Sequence, residues 1–227
     1  METGLRITAI TLRNGHCLDG ETPFLRNFSA ENIRKGLHVY ALAETKSSAA
    51  EALCSELLDT LGKSINKAGA AAFTTVLSEA YQACHKRLSD TLETEPLAAR
   101  VGLGLTTLAL RDDNVIFSMM GPGTLYLQDS SGARAVQPPH LGDGDDTSNE
   151  EQLLGISAGP ASIRVGYHTL TPGQTLIAAT STLVDATSYD GLYAILNAPM
   201  EESVHQLELV MGRESYFAAC LIKKSQV

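Results

Sequence analysis

The spacing of hydrophobic positions changes several times along the chain. Leu5 to Leu12 is a run of apolar and β-branched residues that predicts a strand. Leu37 to Ala43 is a shorter apolar run and predicts a central strand. Behind it the period lengthens. Leu53, Leu57, Leu61 and Ile65 recur at helical spacing and form one apolar face, with Ser47 or Ser48 placed to cap the helix. A second helix is expected with the face Phe73, Leu77, Ala80, Cys84 and Leu88, and Pro96 lies beyond its end.

The pattern then shortens again. "VGLGLTTLAL", "NVIFSMM" and "TLYLQDS" read as strands separated by Arg111-Asp112-Asp113 and Gly121-Pro122-Gly123, which suggest successive hairpins. The stretch from His140 to Gln152 is acidic and contains glycines. Thr147 and Leu154 stand where a calcium loop needs ligands, so a solvated surface loop is expected. "SIRVGYHTL" and "QTLIAAT" are two more strands, joined by Thr171-Pro172-Gly173, a turn of type II character. Short helices are expected around Tyr189–Leu196 and Glu201–Met211, and "SYFAACLI" closes the chain as a buried strand. Helices segregate from a mainly antiparallel strand set, so the class is α+β. A four-layer α-β-β-α sandwich, two sheets with a helix pair on each outer face, would bury both amphipathic pairs. One domain over residues 1–227 is expected.

Composition narrows the partners. The net charge is −9 and no Lys/Arg-rich run exists, which argues against a nucleic-acid backbone. No apolar run approaches a membrane span and the N-terminus lacks signal-peptide features, so a cytoplasmic protein is expected. Cys54, Cys84 and Cys220 fall in apolar patterns and, with Cys17, form no CxxC pair, so reduced thiols are expected. The histidines show no metal-binding spacing.

Element order and four strings resemble the metal-dependent protein phosphatases, the PPM or type 2C serine/threonine phosphatases. "VYALAE" resembles the strand leading to that family's Asp-Gly-x-Gly-Gly turn. "GLTTLAL" is similar to its Gly-Thr-Thr strand. "MGPGTLYL" followed by "SSG" resembles its Gly-Asp-Ser-Arg-x-Tyr-Leu hairpin, and "LTPGQTLIAAT" its Leu-x-Pro-Gly-Asp turn and the strand before Ser-Asp-Gly. The resemblance spans about Leu12 to Ile222 and implies a two-metal site, holding Mn or Mg, where strand ends of the two sheets meet.

The chemistry implied by the resemblance is largely missing. Glu44 stands for the first aspartate, and Thr45, Ser47 and Ser48 replace the turn's glycines. Thr180-Ser181-Thr182 replaces Ser-Asp-Gly, Pro122-Gly123 replaces Asp-Ser, and Glu214-Ser215 replaces the final Asp-Asn. Near the N-terminus only Arg13, aligned with the arginine that grips phosphate, is kept from Arg-x-x-Asn-Glu-Asp. Divalent Mn or Mg needs hard, mostly anionic oxygen ligands, and a longer Glu displaces its carboxylate by a methylene.

Glu44 and Glu214 are therefore remnants that could share one cation or stand as separate solvated carboxylates. Arg13 is a phosphate-binding candidate or a surface arginine. Ser181 lacks a nucleophile-elbow pattern. The expected function is that of a catalytically inactive pseudophosphatase without a metal cofactor, which binds a protein partner through its helix faces or the Gly142–Gln152 loop. The alternative is a serine/threonine phosphatase with a reduced Mn or Mg site.

Overall fold

The structure is a computed structural model that describes residues 4–45, 47, 50–69, 71–94, 100–137, 152–157 and 159–225. The chain opens with β1 (Leu5–Arg13), β2 (His16–Cys17), β3 (Leu25–Ser29) and β4 (His38–Glu44). Helices α1 (Glu51–Lys67) and α2 (Phe73–Leu92) follow. Next come β5 (Gly104–Arg111), β6 (Asn114–Met120), β7 (Thr124–Asp129), β8 (Gly132–Ala135), β9 (Arg164–Thr169) and β10 (Thr175–Ala179). Helices α3 (Thr182–Ala186), α4 (Tyr189–Asn197) and α5 (Met200–Met211) precede β11 (Tyr216–Lys224).

Two antiparallel sheets result, ordered β2-β1-β11-β10-β7-β8 and β3-β4-β5-β6-β9. β5 lies at the centre of the second and is buried along nearly its whole length, which is why it reads as a continuous apolar run. Helices α1 and α2 cover this sheet. Gly62 of α1 lets the helix close on β3, since a Cβ there would stand 2.5 Å from the Phe28 ring. On the six-stranded sheet α4 and α5 bury Leu192, Leu196, Leu207 and Met211 against Ile10, Ile177 and Phe217. The chain thus forms an α-β-β-α sandwich. No helix among the described residues is long and apolar enough to cross a membrane.

Some local expectations need correction. Gly121-Pro122-Gly123 does not close a hairpin, because β6 and β7 belong to different sheets and the tripeptide carries the chain between them. Glycine is required there by close packing. A Cβ on Gly121 (φ +97°) would meet Gly104 Cα at 2.7 Å, and one on Gly123 would meet Thr106 Oγ1 at 2.4 Å. Thr171-Pro172-Gly173 is the expected turn, closed by Gln174 N donating to Thr171 O at 3.1 Å, with Gly173 at φ +84°; it too crosses between sheets. Ser47 does not cap α1. The helix starts behind Ala50 with no side-chain cap, because Ser47 is drawn into a turn in which its N–H donates to Thr45 Oγ1. The edge strands β2 and β3 and the single-turn α3 had no clear periodic signal. Lys46, Ser48, Pro96, Pro138–His140 and the acids Asp143, Asp145, Asp146, Glu150 and Glu151 lie outside the described residues.

Candidate functional site

Side chains alternate along β4. Val39 pairs with Phe28 on the helix-covered face, so Tyr40, Leu42 and Glu44 face the other sheet. Glu44 ends this row opposite Gly104 and is only 5% exposed. Ser181 stands just past the end of β10 in the six-stranded sheet. Its backbone N–H lies 3.0 and 3.1 Å from the two Glu44 carboxylate oxygens, and its hydroxyl donates to Oε1. The first sheet's carboxylate is therefore held by the second sheet's backbone.

Tyr216, the first residue of β11, makes a second cross-sheet tie. Thr45 N donates to its hydroxyl at 2.8 Å, and that hydroxyl donates to Thr45 O. Its ring stacks on Phe24 with centroids 4.5 Å apart and planes 14° from parallel. Burial, reinforced by the Glu44 charge, pushes the Tyr216 hydroxyl above its usual pKa. Burial also pushes the nearby Cys54 thiol up to about 12, helped by Glu51 and Glu44. Thr180 turns inward at the same end: its N–H donates to Ala218 O at 3.0 Å, and its Oγ1 lies 3.0 Å from Thr182 Oγ1.

Pro122 and Gly123 close the floor. A Cβ placed on Gly104 would stand 3.1 Å from Pro122 Cδ and 3.4 Å from Glu44 Cβ. Ser181 thus contacts Glu44 directly, Thr45 follows it in the chain, and Pro122, Gly123 and Thr180 belong to the adjoining crossings between β6 and β7 and after β10.

Glu44 and Glu214 do not share the same bonds. Glu214 is partly exposed just before β11, and its side chain makes no hydrogen bond or ion pair among the described residues. Ser215 is exposed, and its carbonyl accepts from Asn14 N at 3.0 Å. Arg13 ends β1 opposite Tyr216 and points to the first turn of α1, where its Nη2 lies 2.9 Å from Glu51 Oε2. Among the described residues no three His, Cys, Asp or Glu side chains come together in a way that could hold a metal ion. Tyr216, Phe24 and Glu51 were missed by the sequence reading. An acid opening a helix was visible at Glu51, but nothing in the spacing couples it to Arg13.

No protein-family model and no curated protein matches the sequence. Solved structures do match. A serine/threonine phosphatase of S. agalactiae superposes with a TM-score of 0.75 at 14% identity, covering 96% of this chain and 99% of that one. Stp1, a serine/threonine phosphatase of Staphylococcus aureus, gives 0.74 at 11% identity, covering 96% and 94%. The catalytic domain of the serine/threonine phosphatase PstP, solved with two manganese ions, gives 0.67 at 16% identity, covering 98% and 99%. The fold of this chain is that of these phosphatases over nearly its full length.

Proposed function

We propose that this chain is a pseudophosphatase of the metal-dependent type, which keeps the sandwich and acts by binding a protein partner. The observation that carries this reading is the Glu44–Ser181 contact. The carboxylate at the end of β4 is engaged by a peptide N–H and a hydroxyl of the opposite sheet, at the place where the resemblance puts a metal ligand.

The residues present do not fit a two-metal centre. Two divalent cations in hard-oxygen coordination need several carboxylates converging within a few ångströms. Glu44 faces the opposite sheet at this end, and among the described residues no three His, Cys, Asp or Glu side chains converge. The other motif positions around it offer hydroxyls (Thr45, Thr180, Ser181) or no side-chain donor at all (Pro122, Gly123). Arg13 is engaged by Glu51, which weakens the case for it as a phosphate grip.

Protein binding is supported by large apolar side chains left exposed on the helix side of the six-stranded sheet, namely Val184, Tyr189 and Leu209. The four unpaired thiols favour a reducing, cytoplasmic setting.

The test is twofold. Purified protein with millimolar Mn or Mg should not turn over p-nitrophenyl phosphate or a phosphopeptide, and calorimetry should detect no tight two-site metal binding. Turnover that disappears in the Glu44→Ala, Glu214→Ala double variant would establish an enzyme and end the proposal.

A further inference from the structure

The helix-covered face of the five-stranded sheet is not fully covered. Helix α2 begins at Phe73, and beside that start lies a cavity of about 460 Å³. It sits at the Arg111 end of β5, about 20 Å along the strand from Gly104 and Glu44. Its floor is a row of three residues opposite one another in register, Ala109 of β5, Ile116 of β6 and Tyr167 of β9. Leu37 and Phe73 supply apolar walls.

The charged groups lining it are both cationic, Arg34 and Arg111. No acid lines it among the described residues, on a chain whose net charge is −9. Arg111 approaches Asp112 only at 3.9 Å, and the Arg34 side chain makes no hydrogen bond or ion pair among the described residues.

The walls are held in place by polar contacts that do not use either guanidinium. Asn32 donates to the carbonyls of Ile65 at 2.9 Å and Ala68 at 2.8 Å, which ties the connection bearing Arg34 to the end of α1. The Tyr167 hydroxyl donates to Asn114 Oδ1 and lies 2.8 Å from Thr169 Oγ1, which fixes the ring at the exposed end of the floor.

We infer that this cavity is a binding site for a small amphiphilic carboxylate, its apolar tail against Leu37, Phe73, Ala109 and Ile116 and its head between Arg34 and Arg111. The volume falls in the range of small-molecule sites, and a few polar groups beside an apolar lining are how such sites orient a ligand. Guanidinium is suited to a carboxylate because its planar N–H pairs match the two oxygens. The site does not depend on what happens at Glu44.

The probes are octanoate and octanol, titrated into the full chain and followed by backbone amide NMR. Octanoate is expected to shift the signals of Phe73, Ala109, Ile116 and Tyr167 and to bind about tenfold more tightly than octanol. The Arg34→Gln, Arg111→Gln double variant should reduce octanoate to the octanol level. Both arginines are solvent-accessible, and an unchanged melting curve will show that the variant folds. The proposal is overturned by absence of octanoate binding, by equal affinity for acid and alcohol, by shifts centred elsewhere, or by undiminished octanoate binding in a folded double variant.

Discussion

The carboxylate of Glu44 and the backbone N–H of Ser181 join the two sheets of the sandwich, at 3.0 and 3.1 Å to the two oxygens. In this fold the strand ends of both sheets converge at one rim. A cross-sheet hydrogen bond there fixes how the sheets sit on each other. Both carboxylate oxygens serve as acceptors in it.

Removing Glu44 should cost stability. Glu44→Ala leaves the Ser181 N–H without its acceptor in a poorly hydrated place, an expected loss of about 1–3 kcal/mol in urea unfolding. Ser181→Ala keeps the N–H contact and should cost less. The two losses should not add, with a coupling of about 0.5 kcal/mol or more in a double-mutant cycle. Additive losses would mean that the Ser181 hydroxyl contributes no stability through Glu44.

The Gly121-Pro122-Gly123 crossing should reject side chains. At Gly123 a Cβ meets Thr106 Oγ1 at 2.4 Å, and at Gly121 it meets the backbone of Gly104 while φ is +97°. Gly121→Ala and Gly123→Ala are each expected to lower stability by about 1–3 kcal/mol, read from thermal melting. Gly20, whose Cβ would meet nothing within 4 Å, is the comparison site: it shares a positive φ with Gly121 but not the steric block.

Stability should fall on the alkaline side. Cys54 and Cys84 are raised from an ordinary 9.0 to about 12 by burial, and the Tyr216 hydroxyl is raised above its ordinary 10.0. The folded state therefore keeps protons that the unfolded chain gives up. The stability these groups contribute is whole below pH 9 and is lost as pH rises from 9 toward 12, because the unfolded state binds fewer protons there. Denaturant midpoints measured from pH 8 to 11 check the sign. A rising midpoint would contradict it.

Thiol counting should separate one cysteine from three. Cys17 is exposed, while Cys54, Cys84 and Cys220 are buried. Ellman's reagent should modify one thiol of the native protein and all four in denaturant. The Cys17 reaction should keep accelerating to higher pH than that of a free thiol, because partial desolvation of the sulfur and the nearby Glu208 and Asp19 carboxylates raise its pKa. Prompt modification of more than one thiol in the native state would place a second cysteine at the surface.

The sequence by itself determined the elements whose burial is one-sided and regular. Leu57, Leu61 and Ile65 announced α1, and Leu77, Ala80, Cys84 and Leu88 announced α2, because a helix on a sheet must repeat its apolar face every three to four residues. The continuous apolar runs of β4, β5 and β11 announced strands covered on both faces. That Ser181 and Pro122 carry no carboxylate was equally legible, since it is a matter of residue type. Partnership was not. Nothing in the spacing says that Gly121-Pro122-Gly123 passes between sheets, that Arg13 meets Glu51, or that Glu44 accepts from Ser181. Those contacts join residues far apart in the chain. They exist because each sheet twists and stacks as a unit and brings distant strand ends to one rim, a geometry set by packing of the whole sandwich and written in no local stretch of it.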